Sequence, residues 1–174
     1  MEIIDVISRV VHVATAITLV GGSVFMAFVL MPSAKQIDDE PHSQLASLVK
    51  SRWKRFVHGG ILLFLLSGIY NYMRAIPKHQ GDTLYHALLG TKMLLALVVF
   101  FIASALVGRS EKMEPIRKQK DKWIKVLILL AAIIVAISGF VKVRGVPVKA
   151  DEASAVVLPG IELTARLFRA SNKT

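Results

Sequence analysis

The sequence predicts an all-α integral membrane protein, a bundle of four transmembrane helices. Three observations carry that prediction. Residues 10–31, VVHVATAITLVGGSVFMAFVLM, contain no acidic or basic side chain apart from His12. At ~1.5 Å rise per residue such a run spans a hydrocarbon core of ~30 Å. Comparable apolar runs recur at about 56–73, 84–107 and 123–141. The chain is 54% hydrophobic with a mean hydropathy of +0.56, a composition of membrane rather than cytosol.

The first helix is expected to end at Pro32, which lacks the N–H and collides with the preceding turn. Its run is too long for the apolar core of a secretory signal, and the leading MEIID is acidic where a signal is basic, so it is expected to be retained. The second apolar run is short. The preceding SQLASLVKSRWKR places Leu45, Leu48, Val49 and Trp53 at helical spacing. One long helix is therefore expected from about Ser43, an N-cap residue type, running along the interface before it enters the membrane. The third run contains Lys92. The fourth begins at Trp123, an interfacial residue type, and ends at Lys142 and Arg144. The loop 74–83 holds Pro77 and Gly81, as a turn should. These elements define a transmembrane domain over 1–145 and an extramembrane tail over 146–174, where LPGIELTARLFRA is expected to form a short interfacial helix.

The chain carries a formal charge of +10 across its 174 residues. Nucleic acid is not the expected partner, because the cations sit between apolar runs, where they orient a chain against an anionic leaflet. Lys35, Lys50, Arg52, Lys54 and Arg55 lie between runs one and two. Arg109, Lys112, Arg117, Lys118, Lys120, Lys122 and Lys125 lie between or bordering runs three and four. Fewer flank the opposite side: Arg9, Arg74, Lys78, Lys142, Arg144 and Lys149. The two basic loops are expected in the cytoplasm and both termini outside. There is no cysteine, which excludes disulfides, thiolate metal sites and iron–sulfur clusters.

A 2+2 internal repeat is suggested by Trp53 before Ser67-Gly68 and Trp123 before Ser138-Gly139 at nearly equal spacing. In that repeat His12 and His86 are counterparts, each near the start of its apolar run. The topology puts these two histidines at one depth near the outer surface and His58 at the opposite end. Asp5, Arg9 and His12 share one helix face by spacing. Neutral imidazole binds copper or haem iron, and thioethers favour Cu(I). His12, His86, Met93 and Met73 are thus the candidate metal ligands. The competing reading makes the histidines wet interfacial residues and the methionines core filler.

Lys92 is the most expensive residue to insert, at ~2.5–3.5 kcal/mol for a charge deep in hydrocarbon. It is expected to point inward, with Tyr70, Asn71 or Tyr72 as polar company. With His12 and His86 it forms the candidate cofactor-binding set, because its charge suits a haem propionate or a quinone oxygen. Gly21-Gly22-Ser23, Gly59-Gly60, Ser67-Gly68 and Ser138-Gly139 are assigned to close helix packing. No phosphate loop, nucleophile triad or carboxylate pair appears, and no Asp or Glu lies within the four runs.

HVATAITLVGGSVFMAFVLMP resembles the first helix of the copper resistance D (CopD) family: a histidine, a Gly-Gly step, and a proline at the helix exit. RFVHGGILLFLLSGIYNY is similar to that family's second helix, and LYHALLGTKMLLALVVFFIASALVGR to its Tyr-x-x-x-Leu-x-Lys helix. The likeness covers about 10–110. It implies a multi-pass inner-membrane protein that handles or transports copper, although typical members have more helices. The HemJ-like protoporphyrinogen oxidases are distantly similar, with an intramembrane histidine first and a lysine in the third helix. That likeness implies b-type haem as the alternative cofactor, together with a quinone or other redox partner. The arginine that usually follows their first helix is absent; Met31-Pro32-Ser33 stands there.

Overall fold

A computed structural model describes residues 2–145. The tail helix expected within 146–174 lies outside the described residues. Four long helices form an all-α bundle: α1 (Ile3–Ala34), α2 (Asp39–Ala75), α3 (Thr83–Val107) and α4 (Lys120–Arg144). All four are long and apolar enough to cross a membrane. No large side chain among the described residues is fully buried, while Ile17, Leu94 and Leu129 are 67%, 64% and 61% exposed. Water would penalise so much outward apolar surface. A lipid solvent does not, and helices satisfy their backbone polar groups internally.

Pro32 does not end α1. The helix is α over Ile3–Phe25, widens to a π turn over Met26–Leu30, and continues as α over Met31–Ala34. The Met31 N–H bonds to the Met26 carbonyl, five residues back. The wider turn makes room for the Pro32 ring, which a regular α turn would press against the Phe28 carbonyl. Helix α2 is the expected single long element, but it starts at Asp39, earlier than Ser43. Ser43 does not cap it; its hydroxyl donates to the Glu40 carbonyl at 2.9 Å. Asp39 and Glu40 instead place negative charge in the first turn, where the helix dipole favours it. Pro41 is tolerated there because N–H groups of the first turn have no intrahelical partner.

Between α2 and α3 the chain makes a 3₁₀ turn, Ile76–His79, and then Gly81 adopts φ +84°, the left-handed conformation glycine accepts without strain. Asp82 caps α3 by accepting from the Tyr85 backbone N–H at 3.0 Å. Between α3 and α4 lie a 3₁₀ turn, Glu111–Met113, and a short helix, Glu114–Lys118. Arg117 ties this loop together by donating to the Ser110 carbonyl at 2.7 Å.

Helices α1 and α2 pack through glycine. A Cβ on Gly22 would strike the Trp53 indole, and one on Gly60 would stand 2.8 Å from Leu19 Cδ1. Each helix thus seats a large side chain of the other over a missing one. Phe64 of α2 meets Phe100 of α3 edge-on, with centroids 5.5 Å apart. Helix α4 joins through Ile124, which clusters with Met26 and Ala27. An exposed Lys35–Asp121 ion pair at 2.8 Å ties the same ends of α1 and α4.

Candidate functional site

The α1–α2 interface carries the polar chemistry of the bundle. The Ser67 hydroxyl is buried and donates to the Leu63 carbonyl at 2.7 Å. Its one proton being engaged, it accepts the 3.0 Å bond from His12 Nδ1. His12 is therefore held as the Nδ1–H tautomer, with a lone pair on Nε2. Phe64 packs against the imidazole with centroids 3.9 Å apart. Gly68 leaves room for it, since a Cβ there would come within 3.3 Å of His12 Cε1.

Two turns nearer the N-terminus, Asp5 accepts from Arg74 Nε and Nη2, both at 2.9 Å, and from the Tyr70 hydroxyl at 2.9 Å. This two-pronged clasp joins the start of α1 to the end of α2. Asp5, Arg9 and His12 do share a stretch of α1, but they serve different partners. Asp5 and His12 engage α2, while the Arg9 charge acts on Lys92 and Tyr85 of α3.

Lys92 is half-buried, and its charge acts on His12. Tyr70 is committed to Asp5, so it is not the expected partner of Lys92. Lys92 makes no hydrogen bond or ion pair among the described residues. Its electrostatic neighbours are Arg9 and His12, both on α1.

His86 is exposed in the first turn of α3, and its Nε2 lies 3.1 Å from the His79 carbonyl. A carbonyl only accepts, so Nε2 is protonated there. No hydrogen bond, ion pair or ring contact joins His86 to His12 among the described residues. Met73 and Met93 turn outward, 59% and 43% exposed. His58 bonds to the Lys54 carbonyl at 2.8 Å, near the middle of α2. Among the described residues no group of three or more His, Cys, Asp or Glu side chains is arranged to hold a metal ion.

Sequence reasoning passed over His79. It stacks flat on Tyr85, with centroids 3.5 Å apart and planes within 1°, and its Nδ1 lies 3.9 Å from the Asp82 carboxylate. That nitrogen is buried without a hydrogen-bond partner. The sequence carried part of the signal: Asp82-Thr83 reads as a helix start, which fixes where the turn holding His79 meets α3.

His12 therefore offers one imidazole donor of fixed tautomer, with Lys92 of α3 as its basic neighbour and Arg9 of α1 in turn the neighbour of Lys92. Such a set can bind a metal centre that carries its own anionic groups, or accept a proton, but it supplies few donors to a bare metal ion. No protein-family model, curated protein or solved structure matches the chain.

Proposed function

We propose that this multi-pass membrane protein binds a b-type haem through His12 and acts in membrane redox chemistry. The observation that carries the proposal is the Ser67 bond to Nδ1, which leaves Nε2 as a metal donor. Metal-ligating histidines typically donate the other ring N–H in this way. Lys92 and Arg9 supply positive charge for haem carboxylates. The haem, when bound, supplies reversible one-electron chemistry. The HemJ-like resemblance pairs the same residue types, a first-helix histidine and a third-helix lysine.

Copper handling, which the CopD resemblance implies, draws less support. His86 is engaged with the His79 carbonyl, Met73 and Met93 face outward, and the one basic side chain coupled to His12, Lys92, adds no donor suited to a bare cation. The test is a spectrum of protein expressed with excess haem precursor. A Soret band is expected, lost in His12→Ala and weakened in Lys92→Met, with helical circular dichroism unchanged. Colourless protein holding copper that His12→Ala releases would overturn the haem assignment in favour of copper handling.

The orientation proposed is loops inside and termini outside, in an inner membrane, from the distribution of lysine and arginine. A C-terminal reporter active only in the cytoplasm should be silent; activity would invert the topology.

A further inference from the structure

At the loop end of the bundle, away from His12, all four helices border a cavity of about 350 Å³. That volume falls within the ~300–1,000 Å³ of ligand pockets. Its floor is apolar and includes Met26, Trp53 and Ile124. Its rim carries Lys35, Lys50, Arg117 and Lys120 against one carboxylate, Asp121. Asp121 is taken by Lys35 at 2.8 Å. Lys50 and Lys120 make no hydrogen bond or ion pair among the described residues, and Lys120 is half-buried. The rim thus gathers uncompensated positive charge above an oily floor.

We infer that this cavity binds an anionic phospholipid, with its phosphate on Lys50, Lys120 and Arg117 and acyl methylenes against Met26, Trp53 and Ile124. A soluble anion would satisfy the rim and leave the floor wet. A neutral lipid would cover the floor and leave the cations repelling one another. An anionic amphiphile answers both, and basic pockets between transmembrane helices bind such headgroups. The inference is independent of the haem proposal, since it concerns the other end of α1 and shares no residue with it.

Trp53 lines the cavity and reports on it directly. With Trp123→Phe in place, Trp53 is the one remaining indole. The protein is set in phosphatidylcholine nanodiscs containing a minor fraction of brominated phosphatidylglycerol, whose bromines quench indole on contact. The phosphatidylglycerol should quench Trp53 well beyond brominated phosphatidylcholine at the same fraction. Lys50→Gln and Lys120→Gln should each weaken the preference by about fivefold. Inorganic phosphate should leave the quench in place. Equal quenching by the two lipids overturns the inference, and so does displacement by inorganic phosphate, which marks a site for free anions. Should the lysine variants fail to fold, native mass spectrometry of the unmodified chain decides: preferential retention of phosphatidylglycerol supports the site, and equal retention of both lipids refutes it.

Discussion

Ser67-Gly68 on α2 and Ser138-Gly139 on α4 are the same dipeptide, at nearly the same distance after a tryptophan. Both serine hydroxyls donate to the carbonyl four residues back, at 2.7 Å and 2.8 Å. There the likeness stops. Ser67 is buried and receives His12, and Gly68 has the imidazole within 3.3 Å of where its Cβ would be. Among the described residues Ser138 has no second partner, and a Cβ on Gly139 would meet nothing within 4 Å. His86, the counterpart of His12 in the suggested repeat, bonds to the His79 carbonyl instead of a Ser-Gly step. A small-residue step is thus a permission to pack, and the neighbouring helix decides whether it is used.

The largest difference is expected between the serines. Ser67→Ala strands the His12 N–H in a half-buried site and should cost about 1–3 kcal/mol. Ser138→Ala removes only a bond to its own helix and should stay within about 0.5 kcal/mol of the parent. Reversible unfolding in mild detergent measures both. Equal losses would mean that the two steps are equivalent after all.

The glycines should differ less and in opposite directions. Gly139→Ala gains helix propensity in open space and should stabilise by about 0.4–1 kcal/mol. Gly68→Ala makes the same local gain but must displace the imidazole by a few tenths of an ångström. It should come out neutral or lose up to about 1 kcal/mol, within the cost of mild overpacking. The same unfolding measurement checks the pair, and a gain at both positions would show that His12 yields freely.

The four helices were legible because length and the absence of charge are properties of a segment alone. Thr83–Val107 differs from the expected 84–107 by one residue. Element ends were less legible wherever a second effect intervened. Pro32 stops an α turn but not a π turn, and Ser43 finds a better acceptor in the helix that already precedes it. For the site, position along a helix could be read, but direction around it could not. His12 was singled out, yet its bond to Ser67 depends on the rotation set where Trp53 lies over Gly22 and Leu19 over Gly60. Lys92 was expected beside Tyr70, Asn71 or Tyr72, yet Tyr70 is claimed by Asp5 and Lys92 makes no hydrogen bond to the other two among the described residues. Competition among polar partners is a property of the assembled bundle and leaves no mark in any single segment.

The π turn over Met26–Leu30 has a bearing on how α1 is geared. In an α-helix each residue advances the direction of its side chain by about 100°. A turn that absorbs one extra residue resets that phase locally while the axis runs on. His12 lies before the reset and Lys35 after it. The face that α1 shows to Ser67 and the face that it shows to Asp121 are therefore set separately, although one rod carries both. Forcing regular α geometry on 26–30 with every residue kept would rotate the downstream side chains by about 100° and turn Lys35 away from Asp121 without touching His12, whereas removing the one extra residue would leave Lys35 facing Asp121.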